Sequence, residues 1–301
     1  MTDKRIIAVL GATGAQGGGL ADAILDDPGG AFAVRAVTRR ASSDRARDLA
    51  ERGAEVVEAD LGDEGSLRRA FEGAHGAYVV TNYWEAMSAQ VELAQAGNAA
   101  RAARDAGLAH VIWSTLEDTR ERLPVGVPHF DAKAEADRFF LDLGVPTTLL
   151  RTTFYWEAFL QGFAPRRGED GRLVLSLPMG ESPLAGIAAA DIGRVALGIF
   201  ERPELIGATV SIAGEHLTGE QMAAAFAELY GEPVDYRPPT HDQFRAFGIP
   251  AAAEIGNMFQ FYTDAAEAFT GARDLSLVRE LHPGLQTFRD WLGAHKDALQ
   301  A

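Results

Sequence analysis

The first half of the chain alternates short apolar, β-branched runs with stretches whose apolar positions recur at helical spacing. Residues 6–10 are apolar throughout, the pattern of a strand buried on both faces. Leu20, Ala21, Ile24 and Leu25 then repeat at the spacing of one helix face. The strand pattern returns at 32–38, 54–59, 77–81, 110–115 and 145–153. Between these runs the spacing predicts helices over 44–51, 63–71, an Ala-rich stretch ending at 106, and about 130–143. Ser43 is a predicted cap, and Gly53 and Gly144 are predicted stops. Strand and helix alternate roughly every 12 residues, which predicts βαβ units and a parallel sheet. Right-handed crossovers would bring the strand C-termini to one edge, outside which ligands of such sheets bind.

Beyond 153 the regularity loosens. A Pro- and Gly-bearing stretch over 165–183 predicts loops and short strands over the cleft. Helical character returns over 187–200, a strand is predicted at 209–213, and a helix at 221–230. The expected fold class is α/β: a Rossmann-type doubly wound parallel sheet with a smaller, mostly helical C-terminal lobe. The expected division is a dinucleotide-binding domain over 1–153, rejoined by 184–214. A smaller cleft-covering lobe, for substrate or partner, would comprise 154–183 and 215–301.

The break after the first apolar run carries the sharpest signal. Gly11, Gly14 and Gly17 fall at intervals of three between predicted strand and predicted helix. Glycine there lets the backbone turn tightly and approach a pyrophosphate, while the first helical N–H groups and the helix dipole favour its charge. The spacing is G-x-x-G-x-x-G, a variant of the dinucleotide fingerprint. Gly11, Ala12, Thr13, Gly14, Ala15, Gln16 and Gly17 are therefore candidate cofactor-binding residues.

Composition narrows the classes. The chain has 301 residues, 47% hydrophobic and 24% charged, with no cysteine. That composition is ordinary for a globular protein and excludes disulfides, thiolate metal sites and thiol switches. No apolar run reaches the roughly 18 residues of a membrane span, and the N-terminus lacks a signal-peptide pattern, so a cytoplasmic location is the expectation. A formal net charge of −15 opposes nucleic acid and anionic membrane surfaces as partners. An anionic cofactor would need a local positive site. The second predicted strand ends in Arg39 and Arg40 where an acidic residue would select NAD. A guanidinium there pairs with a 2′-phosphate, so NADP (NADPH) is the expected cofactor. Asp60 and Leu61, after the third strand, fall where adenine is flanked, and Asp60 can equally cap a helix.

Further strings carry a resemblance. GATGAQGG at 11–18 is similar to the extended and atypical branches of the short-chain dehydrogenase/reductase superfamily. TNYWE at 81–85, HFDAK at 129–133 and FYWE at 154–157 resemble the NmrA-like family. LGVP at 143–146, LSLP at 175–178 and NMFQFY at 257–262 extend the likeness over essentially the whole chain. It is strongest toward members that act as NADP(H) redox sensors. The resemblance implies NADP-site roles for the fingerprint loop, Arg39, Thr81, Asn82, Tyr83, Lys133, and Tyr155, Trp156, Glu157 and Ala158. The further basic residues it implies near Ser43 and near Ala94 are not matched.

Catalytic short-chain dehydrogenases use Ser, Tyr and Lys, the last two as Y-x-x-x-K. Here Ser114 follows the fifth strand, Lys133 lies in a predicted helix, and His129 stands four residues before it. An i,i+4 pair shares a helix face. Three readings stand: Lys133 holds ribose hydroxyls and Ser114 is structural; His129 donates a proton; or solvent supplies the proton to a quinone-like acceptor. Tyr83, Trp84, Phe154, Tyr155, Trp156 and Phe159 form either an aromatic platform for a flat ligand or ordinary core. His129, Asp131 and Glu135 lack the paired His a metal site favours, so no metal is expected. Two function classes follow: an NADP(H)-responsive redox sensor with weak or no dehydrogenase activity, or an NADPH-dependent quinone- or carbonyl-type oxidoreductase. Partners of the first class would be a regulatory protein or a second copy of the chain; the second needs a quinone-like small molecule.

Overall fold

The computed structural model describes residues 4–300. The chain divides into two compact units, the first made of residues up to Asp118, His129–Thr152 and Ala189–Val210. Its strands are β1 (Arg5–Leu10), β2 (Phe32–Thr38), β3 (Glu55–Glu58), β4 (Gly76–Val79), β5 (His110–Thr115) and β6 (Thr147–Arg151). With Thr209–Ser211 at one edge they form a seven-stranded sheet, in the order Thr209–Ser211, β6, β5, β4, β1, β2, β3. The pairs among β1 to β6 are all parallel. The chain therefore steps outward from β1 to β3 and resumes on the other side of β1 as β4. That reversal creates a crevice outside the strand ends, between β1 and β4.

The intervening helices are α1 (Ala15–Asp26), α2 (Asp44–Glu51), α3 (Glu64–Phe71), α4 (Tyr83–Ala86), α5 (Ala89–Asp105), α6 (Pro128–Asp142) and α7 (Ala189–Phe200). Ser43 caps α2 and Asp63 caps α3, each accepting a backbone N–H of the first turn. Helix α5 buries a run of small residues, Ala96, Gly97, Ala99, Ala100, Ala102 and Ala103, so its backbone lies close against the apolar core of β4 and β5. Helices α1 and α7 cross closer still. A Cβ on Gly19 would strike the Ala190 carbonyl, and one on Gly193 would strike Leu20 N and the Gln16 carbonyl. Arg35, buried in β2, reaches Glu55 at 2.8 Å and the Ala70 carbonyl at 3.0 Å, tying the end of α3 to the sheet.

The predicted doubly wound sheet is present, and three local expectations differ. The strand expected over 145–153 ends at Arg151, and Phe154–Tyr155 pairs separately. The helix expected from 187 begins at Ala189, because Leu184–Ile187 is a strand paired with both Glu215–Leu217 and Phe154–Tyr155. The Ala-rich helix is preceded by the single turn α4, which stops at Met87, left-handed at φ 46°, before Ser88 caps α5.

The second unit comprises Thr119–Pro128, Thr153–Ala188 and Ser211 onward. It holds two three-stranded sheets and a helical C-terminal part. Gly219–Tyr230 starts at a capping box, Thr218 and Gln221 satisfying each other's backbone N–H groups. Phe159, Phe226, Phe288 and Trp291 pack ring to ring with centroids 5.2 to 6.3 Å apart, forming much of this unit's core.

Candidate functional site

The glycine turn closes in the way its chemistry requires. Gly11 adopts φ +66°, which L side chains rarely reach, and its carbonyl accepts the Gly14 N–H at 2.8 Å. A Cβ on Gly17 would lie 2.5 Å from the Gly11 carbonyl oxygen, so α1 can approach the end of β1 this closely only through glycine. Gly14 is the N-cap of α1; it has no side chain to satisfy the first-turn donors, and that turn has no acidic residue. The start of the helix thus presents a positive dipole end with no anion of its own. Gly11, Thr13, Gly14 and Ala15 are exposed, whereas Ala12 and Gly17 are buried.

Gln16 ties this turn to the neighbouring strands. Its Oε1 accepts the Tyr78 hydroxyl of β4 at 2.6 Å and the Ser114 hydroxyl of β5 at 2.9 Å. Ser114 is buried, and its proton is directed at Gln16. Tyr78 was not among the candidates, since an aromatic inside a strand reads as core.

Lys133 lies on α6 and reaches across to the segment after β4. Its Nζ donates to the Thr81 carbonyl at 3.1 Å and the Thr81 hydroxyl at 2.8 Å, and pairs with Glu92 Oε1 at 2.7 Å. Thr81 in turn donates its hydroxyl to the same Glu92 oxygen. Those three acceptors match the three protons of an ammonium. The Lys133 side chain is 11% exposed and that of Glu92 only 1%, so this is a buried ion pair. Glu92 Oε2 is buried with no hydrogen-bond partner. One turn further along α6, Asp137 accepts the Trp113 indole N–H at 2.9 Å and the Thr115 hydroxyl at 2.6 Å. Burial pushes this carboxyl up to about 6, although the hydrogen bonds from Thr115 and Trp113 pull the other way.

His129 lies within α6, in its first turn, and is buried. Trp84 packs on its ring at 4.7 Å, Phe130 at 4.9 Å and Tyr83 at 5.9 Å. Tyr83 is buried, while Trp84 is partly covered at 43% exposure and Asn82 is exposed. His129, Tyr83 and Trp84 therefore form one aromatic cluster in the first unit. Phe154, Trp156 and Phe159 belong instead to the second unit's core. There Trp156 packs on Phe288 and Trp291, Glu157 accepts the Trp291 indole N–H at 3.2 Å, and Tyr155 and Ala158 are half-buried.

At the other end of the crevice Arg39 follows β2. Its two terminal nitrogens meet both oxygens of Glu85, at 2.9 and 2.6 Å, in fork geometry. The hydrogen bond to Glu85, its charge and that of Asp60 hold the guanidinium above its ordinary pKa. Asp60 accepts the Gly62 N–H at 2.6 Å and shapes the loop; the cap of α3 is Asp63. The Leu61 carbonyl is held by Asn98 at 2.8 Å.

Parallel strands, a glycine turn at the switch point and a helix N-terminus facing the crevice define a Rossmann-type α/β protein. Residues 3–292 match the NmrA-like family, and the chain belongs to that family. It is 32% identical over 282 residues to the NmrA-like family domain-containing oxidoreductase FrzB of Cladobotryum sp, covering 85% of this chain and 83% of that one. Among solved structures it is similar to NmrA, a negative transcriptional regulator, with a TM-score of 0.82 and 22% identity over 99% of both chains. It is also similar to the NADPH-dependent quinone oxidoreductase QOR2 of Escherichia coli, solved with NADPH, with a TM-score of 0.77 and 23% identity over 96% of this chain and 99% of that one. No helix among the described residues is long and apolar enough to cross a membrane.

Proposed function

We propose that the protein binds NADP(H) across the Gly11–Gly17 turn and the Arg39 edge, and acts as a reductase of electron-poor, quinone-like acceptors. The observation that carries the reading is the turn itself. Gly11 at φ +66° turns the chain, and the glycine-only approach of Gly17 to the Gly11 carbonyl sets α1 at the end of β1 with a helix start that has no anion of its own. The fit is one of donor chemistry: backbone N–H groups of the helix start for the pyrophosphate and the Arg39 guanidinium for the 2′-phosphate, with Lys133 holding the Thr81 segment beside them through its own bonds to Thr81 and Glu92. When bound, the dinucleotide supplies the hydride. His129 stands where short-chain dehydrogenases place Tyr, so an acceptor that needs little acid assistance is favoured, with solvent delivering the proton. FrzB is named an oxidoreductase and QOR2 a quinone oxidoreductase, which supports this class.

A second reading, an NADP(H)-responsive sensor that signals to a regulatory protein or a second copy of the chain, has its own support. Ser114 is turned toward Gln16, and the Lys133 donors are turned toward Thr81 and Glu92. A catalytic pair so engaged with its own chain suits binding better than turnover. NADPH oxidation against a panel of quinones and aldehydes decides. Quinone-dependent oxidation at 1 s⁻¹ or faster, within the roughly 1–10³ s⁻¹ of ordinary enzymes, establishes the reductase. Tight NADPH binding with no turnover on any acceptor leaves the sensor.

A further inference from the structure

We infer that Glu85 is a built-in competitor for the cofactor's 2′-phosphate, so that it, together with Arg39, sets the ratio of NADP to NAD binding. The inference rests on the dinucleotide reading above and goes beyond it. Arg39 supplies the guanidinium fork that a 2′-phosphate would need, yet both its terminal nitrogens meet the two oxygens of Glu85. A second donor of the same loop is treated alike: the Ala41 backbone N–H is taken by Glu58 Oε1 at 2.8 Å. Asp60 adds its field at Arg39. Two donors after β2 are therefore turned to carboxylates of the chain, from β3 and from α4.

The placement of Glu85 is a property of the fold. Tyr83 is buried and Trp84 lies on His129, which sets the rotation of the single turn α4 and leaves Glu85 facing outward. An entering 2′-phosphate, with about −1.5 to −2 charges, must displace the carboxylate of Glu85 from the fork or share the fork with it. An uncharged ribose 2′-hydroxyl meets no such conflict, because it can donate to a carboxylate. The pair is exposed, with Arg39 at 64% and Glu85 at 45%, so its displacement is an affordable competition rather than a block.

The test is calorimetric titration of NADP⁺ and NAD⁺ into the parent protein, Glu85→Gln, Arg39→Ala and the double variant. Glu85→Gln keeps the size of the side chain and removes its charge. The expected result is NADP⁺ tightened about three- to fivefold with NAD⁺ changed less than twofold. In the Arg39→Ala background the same substitution should shift the ratio by less than twofold. The gain should shrink as salt is raised, since the competing pair is exposed. An unmoved ratio, or equal tightening of both dinucleotides, overturns the inference while leaving the cofactor site standing. Failure of the parent protein to bind either dinucleotide overturns both.

Discussion

Lys133 and Arg39 are the two cations that sequence reasoning assigns to the dinucleotide, and each holds a glutamate of its own chain. The settings are opposite. Lys133 and Glu92 meet out of water, with Thr81 closing the triangle between them. Arg39 and Glu85 meet in water, at a distance as short. Distance alone therefore says little about what a pair does. A buried pair must stay intact, because removing one partner leaves an uncompensated charge in a poorly solvated place. An exposed pair contributes little and can be traded for another anion. The first fixes architecture between α5, α6 and the end of β4; the second leaves a cation available to exchange.

The largest expected effect tests the buried side. Glu92→Ala should cost about 3–5 kcal/mol, because it strands the Lys133 ammonium. For a chain of this size that is a fall in Tm of roughly 10 °C, read by thermal denaturation. Replacing both partners, as Glu92→Leu with Lys133→Met, should recover most of the loss, since an apolar pair needs no compensation. A single variant melting within 2 °C of the parent, on the scale of ~2–4 °C per kcal/mol, would erase the contrast with Arg39.

Asp137, one turn past Lys133, sharpens the same point from the side of a carboxylate held by neutral donors. Its folded-state pKa is raised to about 6, so between pH 3.8 and about 6 the native state holds a proton that the unfolded chain releases. Its contribution to stability is therefore present at low pH and is lost as pH rises through that window. His110 of β5 runs the other way. Burial pushes it down to about 4, with the charge of His75 adding to the shift. The unfolded chain then binds the extra proton between about 4 and 6.5, and stability falls as pH drops through that range. The two oppose each other between about pH 4 and 6. In Asp137→Asn only the His110 arm remains, so stability should fall more steeply on acidification, by up to about 1.4 kcal/mol per pH unit. Urea titrations at pH 4, 5, 6 and 7 would measure the slope; identical slopes in both proteins would remove Asp137 from this account.

Arg39→Ala tests the exposed side. A charge-assisted hydrogen-bond set to phosphate is worth about 1.5–3 kcal/mol. Release of Glu85 costs up to about 1 kcal/mol. The difference predicts a roughly two- to thirtyfold loss of NADP⁺ affinity, with NAD⁺ changed less than NADP⁺ and Tm essentially unchanged. Equal loss of both dinucleotides would assign Arg39 to the adenine or ribose rather than the phosphate.

Local signals explain what was legible in the residues. The predicted spans of β2, α2 and β5 agree with the structure residue for residue, since their limits are marked by apolar runs and by the Ser43 cap. The glycine turn was legible for the same reason: its φ and its close approach are properties of a few neighbouring residues. The partners of the candidate side chains were not. Arg39 finds Glu85 46 residues away, Lys133 finds Thr81 52 away, and Ser114 finds Gln16 98 away. Nothing in spacing or composition marks such pairs, because the sheet order creates them. The strand Leu184–Ile187 was hidden likewise: Leu-Ala-Gly-Ile has no alternation, and two partners from distant segments make it a strand.

The smallest effect is expected at His129, where the comparison reaches the chemistry. Lys133 is held by Glu92 and Thr81, and Asp137, one turn on, by Trp113 and Thr115; the imidazole of His129 lies on the same face of α6, one turn before Lys133. It is enclosed by Trp84, Tyr83 and Phe130, so its removal disturbs packing as well as any proton transfer. A quinone accepting hydride develops charge on a delocalised oxygen that water can protonate, and general acid catalysis there adds little. His129→Ala should accordingly change NADPH-dependent quinone turnover by less than about tenfold, or under about 1.4 kcal/mol in the barrier. His129→Gln, which fills more of the space and cannot act as an acid, should lie nearer the parent in turnover. A loss beyond a hundredfold in both variants, with NADPH affinity and Tm kept, would make His129 the proton donor that replaces Tyr. The site would then be a dedicated reductase rather than one that leaves the proton to solvent.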